Sequence, residues 1–351
     1  MNPVILEYVW LDGNMELRSK YKTIYIHNND DINTINIPKW NYDGSSTNQA
    51  QTDNSEIILN PVSIYKNPFF QNNPFFQNNK AFLVMCDTYY EVNGKTHPTN
   101  TNNRFNAVTI FNKNKYMEPW YGIEQEYFMM QPFGSHDSNI PPFFTKNEHT
   151  KAQGDYYCGV GTQHIMYRQL AEKHYMYCLY AGLKISGVNA EVAPNQWEYQ
   201  IGPSTGIEAG DMLWISRYIL HKLSEEFNVN ISFKPKPVLN PWNGSGLHTN
   251  FSTKMTREEG GLNVINHYVE LLGSKHNDHI MVYGDNSMRL NGECETSNIN
   301  TFSCGYGNRG CSIRIPKDTL QNKCGYFEDR RPASNADPYQ VTSIIFQTCC
   351  L

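Results

Sequence analysis

In Gly122-Ile123-Glu124-Gln125-Glu126-Tyr127-Phe128, two carboxylates stand two residues apart in a run of strand-forming residues. On a strand, residues i and i+2 point to the same face, so Glu124 and Glu126 project together. Two like charges held that close repel unless a cation lies between them. Alone, the pair fits a wet sheet face as well as a metal site.

Downstream, Asn189-Ala190-Glu191-Val192-Ala193-Pro194-Asn195-Gln196-Trp197-Glu198-Tyr199-Gln200-Ile201-Gly202-Pro203 sets two more glutamates around a proline turn. Carboxylates among apolar residues are either ion-paired or metal-bound, and both remain open for Glu191 and Glu198. Next, Asn243-Gly244-Ser245-Gly246-Leu247-His248-Thr249-Asn250-Phe251-Ser252 runs from a glycine-rich loop into a strand. Small residues there let backbone approach a ligand. A single histidine at a strand start is also a common structural residue. Finally, Arg289, Arg309, Arg314, Arg330 and Arg331 crowd the C-terminal part, interleaved with Glu295, Glu328 and Gly/Ser residues. The planar guanidinium fork suits phosphate and carboxylate, and the interleaved acidic and Gly/Ser residues argue against the blander reading of a solvated basic face.

Around these elements the chain reads as strands first and a mixture later. Residues 4–10 and 22–26 alternate apolar and polar about an Asp12-Gly13 turn, which predicts a hairpin. With strands at 57–64 and 81–90, the expectation is a small β-rich N-terminal domain over 1–95. A direct repeat, NPFFQN at 67–72 and again at 73–78, reads as a duplicated surface loop, since a solenoid needs at least ~3 units. Over 96–351, periodicity predicts helices at 162–181, 207–227 and 260–272. Strands are expected at 122–130, 198–201, 229–233, 248–251 and 312–315. The class is therefore α+β or α/β.

Composition narrows the partners. The net charge is −5 from 29 basic and 34 acidic residues, without a Lys/Arg block. Nucleic acid is a poor fit. No apolar run approaches the ~20 residues that span a bilayer. The first ten residues lack a secretory signal pattern. Nine cysteines without CxxC spacing fit reduced thiols in the cytoplasm better than a disulfide framework.

Taken in order, WNYDGSST (40–47), GIEQEY (122–127), NAEVAPNQWEYQIGP (189–203), NGSGLHTNFST (243–253), ETSNIN (295–300), NRGCSIRIP (308–316) and YFEDRRP (326–332) resemble the glutamine synthetase family in its shorter, eukaryotic type. The resemblance covers nearly the whole chain. It implies a β-grasp-like N-terminal domain and a catalytic domain with a curved antiparallel sheet, a partial barrel, flanked by helices. The implied reaction uses ATP to join ammonium to L-glutamate through γ-glutamyl phosphate, with two to three Mg²⁺ or Mn²⁺ ions per site. By resemblance, Glu126, Glu191 and Glu198 hold the ion facing glutamate and ammonia. Glu124, His248 and Glu328 hold the ion facing the phosphates. Carboxylate-rich sets of this kind suit hard cations. Arg309 and Arg314 match residues on the moving phosphoryl group. Arg289, Arg309, Arg330, Asn243 and Gly244 match the glutamate site. Trp120, Pro203, Asn250, Ser252, Arg314 and Tyr326 match the nucleotide pocket. Asp43 matches the acid that deprotonates ammonium, with Ser46, Glu56 and Tyr157 beside it, and Glu295 matches the glutamate of a closing flap. The family also implies a homodecamer of two pentameric rings, with Asp43 reaching the site of an adjacent subunit.

The sequence departs from the family pattern at Glu293 and Cys294, where an aromatic residue and histidine are usual, at Glu56, where Asp is usual, and at Pro241. No implied metal ligand is lost. Two other readings differ in testable ways. A γ-glutamyl-polyamine-type ligase would not need the small cation pocket of Asp43, Ser46 and Tyr157. A non-catalytic structural homologue would have lost ligands, Asp43 or Glu295.

Overall fold

The runs expected to form a hairpin, 4–10 and 22–26, pair as β1 (Asn2–Leu11) and β2 (Leu17–Ile26), antiparallel from Asn2↔Ile26 to Leu11↔Leu17. Asp12 closes the hairpin: its Oδ1 accepts the N–H groups of Asn14 (2.8 Å) and Glu16 (3.0 Å), and Arg18 pairs with its other oxygen. Gly13 is required by close approach, because a Cβ there would stand 2.3 Å from the carbonyl oxygen of Asn48. The computed structural model describes residues 1–27, 36–74, 80–132, 155–162, 164–238, 242–294 and 296–351. Glu295, Pro241 and most of the second NPFFQN copy lie outside the described residues.

β3 (Trp40–Asp43), β4 (Glu56–Lys66), β5 (Ala81–Val92) and β6 (Lys95–Pro98) complete the first sheet in the order β2-β1-β5-β4-β3, with β6 on β5. β1 and β5 run parallel at its centre, and every other pair is antiparallel, the β-grasp-like arrangement expected. Both faces of β1 are covered, so residues 4–10 do not alternate as expected but form a nearly continuous apolar run. Leu6, Tyr8 and Trp10 pack with Phe82 and Val84 on one side. Val9 and Leu11 join Leu83, Met85 and the main core on the other.

The second sheet is larger and mostly antiparallel. β7 (Trp120–Met130) lies between β9 (Gln196–Thr205) and β11 (Leu247–Ser252), and β8 (Ile185–Ala190) is outside β9. Beyond β11 come β14 (Phe327–Asp329), β13 (Ile313–Ile315) and β12 (Cys304–Tyr306), while β10 (Asn230–Ser232) pairs the end of β7. Register breaks at Tyr121/Ile123 and Ile185/Gly187 bend the sheet, which curves without closing.

Eight helices accompany the sheets among the described residues. α1 (Asn103–Phe111), α2 (Arg168–Ala181) and α3 (Gly206–Phe227) come first, then α4 (Lys254–Arg257), α5 (Gly261–Ser274), α6 (His276–Ile280), α7 (Lys317–Asn322) and α8 (Pro338–Cys350). A capping box between Thr205 and Glu208 starts α3, and left-handed Asn228 ends it. Its Leu213, Ile215, Ile219, Leu220 and Leu223 are fully buried with α8 residues Val341 and Ile345. Truncating one such residue to Ala costs about 2–5 kcal/mol. Among the described residues no helix is long and apolar enough to cross a membrane.

One buried cation fixes β7 from behind. Arg217 of α3 donates to Gln125 Oε1 (2.8 Å), Ser334 O (2.9 Å) and Ala336 O (3.0 Å), and Gln125 Nε2 donates to Ser334 O (3.0 Å). Its guanidinium also stacks on Trp214 and Phe233. Gln125 therefore faces the core, which leaves Glu124 and Glu126 on the opposite, concave face.

Candidate active site

Strand register assembles the site. Directly opposite residues of an antiparallel pair share a face, with Cβ atoms about 4.5–5.5 Å apart. Glu124 lies opposite His248 on β11 and Gln200 on β9. Glu126 lies opposite Glu198, which in turn faces Asn189 of β8. Asn250 lies opposite Glu328, and Glu328 opposite Arg314. Alternation along six strands thus gathers four glutamates, a histidine, an arginine and three amides on one face.

The fifth glutamate comes from a turn. Glu191 N–H donates to Gln196 O (2.8 Å), and left-handed Asn195 completes the reversal between β8 and β9. Asn189 Nδ2 and the Val192 N–H, each 3.1 Å away, hold one oxygen apiece of Glu191.

The acids fall into two sets. Glu126, Glu191 and Glu198 can each place an oxygen within 4.8 Å of the others, and so can Glu124, His248 and Glu328 with one atom each. His248 Nδ1 lies 3.5 Å from Glu124 and 3.7 Å from Glu328, while Arg289 Nη2 donates to Nε2 at 3.2 Å. Gly246 N–H donates to Glu126 at 2.6 Å. A Cβ on Gly246 would stand 2.4 Å from Arg289 Nη2, so only glycine fits between them. Arg314 (2.7 Å) and Arg330 both pair with the buried Glu328.

The electrostatics are unfavourable for bare carboxylates. Burial, reinforced by Glu124, Glu126 and Glu191, pushes the Glu198 carboxyl up to about 10. Burial and then Glu191 push Glu126 up to about 8. Burial also raises Glu191. His248 is held neutral by burial and by Arg330. Neutral imidazole and clustered carboxylates are the donor set of a hard divalent ion, and charge from such an ion would reverse the shift of each acid.

These groups line a cavity of about 260 Å³, together with Tyr157, Asn243, Gly244, Arg289, Arg309, Arg314 and Arg330. Trp120, Pro203, Asn250, Ser252 and Tyr326 lie off this cavity. Trp120 and Ser252 are opposite one another on β7 and β11, and Arg257 joins them, stacked 3.9 Å over the indole and 3.0 Å from the Ser252 hydroxyl. Pro203 is exposed on β9, and Tyr326 precedes β14 and is half exposed. Asn250 Nδ2 reaches Glu124 at 2.8 Å.

Asp43, Ser46 and Glu56 are elsewhere. They sit exposed at the end of the first sheet, Asp43 opposite Glu56, and do not line the cavity. Hydroxyls of Ser46 (2.6 Å) and Ser45 (2.7 Å) donate to Asp43 and hold it down at about 2.

Three participants escaped the sequence reading. Gln200 donates to both Glu198 and Asn189 and so links the two sides of the β8–β9 turn. Its signal was its position two residues after Glu198, hence on the same face. Asn189 carried the same signal relative to Glu191. Arg257 had none, because it follows a strand end on a four-residue helix.

A family model described as the glutamine synthetase catalytic domain matches residues 104–267. The chain is 52% identical to a putative glutamine synthetase of Acanthamoeba polyphaga mimivirus, covering 99% of this chain and 94% of that one. It is 47% identical to a glutamine synthetase of Tuber borchii (99% and 92% covered). It is 48% identical to a glutamine synthetase cytosolic isozyme of Oryza sativa subsp. japonica (98% and 93%). Among solved structures, one described as a GmaS/ADP complex aligns with a TM-score of 0.71 at 16% identity, over 98% of this chain and 77% of that one, a likeness of fold.

Proposed function

The chain belongs to the glutamine synthetase family, and on that premise we propose that it is an ATP-dependent ligase joining ammonium to L-glutamate to give L-glutamine, ADP and phosphate. The observation that carries the reading is the pair of buried acidic sets side by side on one sheet face, walled by Arg289, Arg309, Arg314 and Arg330. Its donor sets fit Mg²⁺ or Mn²⁺. Such ions, two or three when bound, supply neutralisation of phosphate charge and polarisation of the phosphoryl oxygens.

A carboxylate resists ammonia because oxide is a very poor leaving group, so the γ-carboxylate first takes the γ-phosphoryl group of ATP. Glu126, Glu191 and Glu198 would hold an ion beside glutamate and ammonia, and Glu124, His248 and Glu328 would hold one beside the phosphates. Arg309 and Arg314 follow the phosphoryl charge as it moves. Arg289, Arg309 and Arg330, with Asn243 and Gly244, fix glutamate for attack. Trp120, Pro203, Asn250, Ser252 and Tyr326 receive the nucleotide beyond Glu124. Asp43 takes the proton of ammonium, with Ser46, Glu56 and Tyr157 nearby, and Glu295 excludes water from the acyl phosphate.

Asp43 lies off the cavity of its own chain, which supports a site completed by the 1–95 domain of a neighbour over the 96–351 domain of this chain. The oligomer is then a decamer of two rings, working in the cytoplasm. The test is glutamine formation by purified protein with Mg²⁺ or Mn²⁺, comparing ammonium with putrescine. Glutamine from ammonium is expected. Absence of glutamine with both ions would overturn the reading, and preference for putrescine would replace it with a polyamine ligase. Light scattering should give about ten times the 40.5 kDa chain. An active species with the mass of one chain would overturn the shared site.

A further inference from the structure

The loop 290–299 brings Cys294 and Thr296 to the cavity wall. Its ends are closed by Ile299 N–H on Leu290 O (2.8 Å) and by a bridge between Asn291 and Asn298. These ties are internal to the loop and do not say where it sits against the sheet. An outside tie comes from His276, the first residue of α6, whose Nε2 is 2.8 Å from Ile299 O. The other ring nitrogen, Nδ1, is 3.1 Å from Arg331 Nη1.

Arg331 is itself immobilised. It grips Asp329 through two bonds, Nε to Oδ1 (2.9 Å) and Nη2 to Oδ2 (2.7 Å), with both side chains fully buried. Asp329 Oδ2 also accepts from Tyr283 (2.8 Å), which bonds His279 (2.6 Å), which reaches Thr348 of α8 (2.8 Å). The string crosses the back of β14. Asp329 is the neighbour of Glu328, and alternation puts Glu328 on the cavity side of that strand.

The chemistry of the string leaves His276 one arrangement. A guanidinium only donates, so Nδ1 of His276 must accept. The neutral ring then carries its proton on Nε2, where it donates to the Ile299 carbonyl. The ring also packs edge-on against Phe302, with centroids 5.8 Å apart.

We propose that His276 is a positioning residue that ties the 290–299 loop to the Arg331–Asp329 pair. The strand bearing Glu328 and the loop bearing Cys294 and Thr296 are thereby held at one fixed separation. His276 does not line the cavity and touches no reacting atom. The activity arm of its test rests on the reaction proposed above; the exchange arm does not.

His276→Phe keeps a ring against Phe302 and removes both nitrogens. His276→Met removes them with a flexible chain that fills irregular space, and reads the same quantities should the phenyl ring not be accommodated. His276→Gln keeps one acceptor and one donor. Amide exchange of peptides covering 290–300 should rise about tenfold in the Phe and Met variants, and stay within about threefold of wild type in the Gln variant. ATP consumed per glutamine should rise several-fold in the first two, because a displaced loop admits water to the acyl phosphate. A purely structural role would lower the melting temperature while leaving loop exchange and the ATP:glutamine ratio at wild-type values, and that result would overturn the proposal. A wild type that makes no glutamine would overturn the reaction, and the exchange arm would still decide the anchor.

Discussion

Glu198 and Asp43 are both carboxylates, and the fold treats them in opposite ways. Glu198 is buried beside three other glutamates and is pushed up to about 10. Asp43 is exposed, receives hydroxyl donors from Ser45 and Ser46, and is held at about 2. Glu198 cannot carry its charge without a cation, whereas Asp43 is charged already. The acidic face is a site that its own chain leaves electrostatically incomplete. The Asp43 edge is a prepared carboxylate that stands off the acidic cavity of its own chain.

The largest effect should come from the acidic face. Glu126→Ala should lower kcat by about 10³-fold or more, as expected for loss of an ion that organises phosphoryl transfer. The same change should leave the metal-free protein at least as stable, because it removes one of several crowded acids. Melting curves with and without Mn²⁺ should show stabilisation by the ion in wild type and little in the variant.

Asp43→Asn comes next, with kcat down by about 10²- to 10⁴-fold, the range for loss of a general base. Because Asp43 is exposed, stability should change little. Mixing Asp43→Asn subunits with Glu126→Ala subunits and reassembling them should restore about a quarter of wild-type activity, since each site would draw its two acids from different chains. No recovery in verified mixed oligomers would place Asp43 at the site of its own chain or remove it from catalysis.

A smaller effect concerns pH. The folded, metal-free protein holds protons on Glu126 up to about 8 and on Glu198 up to about 10, against an ordinary 4.5 for the unfolded chain. Where the folded state binds more protons, stability falls as pH rises. The contribution is fully present below 4.5 and is lost as pH rises through 8 and then 10. The melting temperature of the metal-free protein should therefore drop between pH 5 and 8, and saturating Mn²⁺ should flatten that slope. The smallest effect belongs to Glu56→Asp, which restores the family residue at an exposed position. It should change the KM for ammonium by no more than about threefold, as a surface substitution.

Much of this was legible from period and composition. Alternation in β7 correctly put Glu124 and Glu126 on one face, because a strand has only two faces. The long apolar pattern of α3 and the β1–β2 hairpin were equally plain. β8 was missed because Gly187 and a register break interrupt its alternation. α8 was missed although its start was signalled by Asp337 capping Tyr339 N–H, with Pro338 in the first turn. Register itself was not legible: that His248 faces Glu124 across β7 and β11 is a contact between residues over a hundred positions apart. Nor was the role of Gln125. Its bond to Arg217 is what turns the two glutamates toward the cavity, and nothing local distinguishes it from a solvent-facing glutamine.

The most direct measurement is calorimetric titration of Mn²⁺ into metal-free protein at pH 7, repeated in buffers of different ionisation enthalpy. Carboxyls held protonated by burial must release protons when an ion displaces them. The expected result is at least two ions per chain with net proton release, reduced in Glu126→Ala. Binding without proton release, or no binding, would contradict the view that the acidic face is completed by metal.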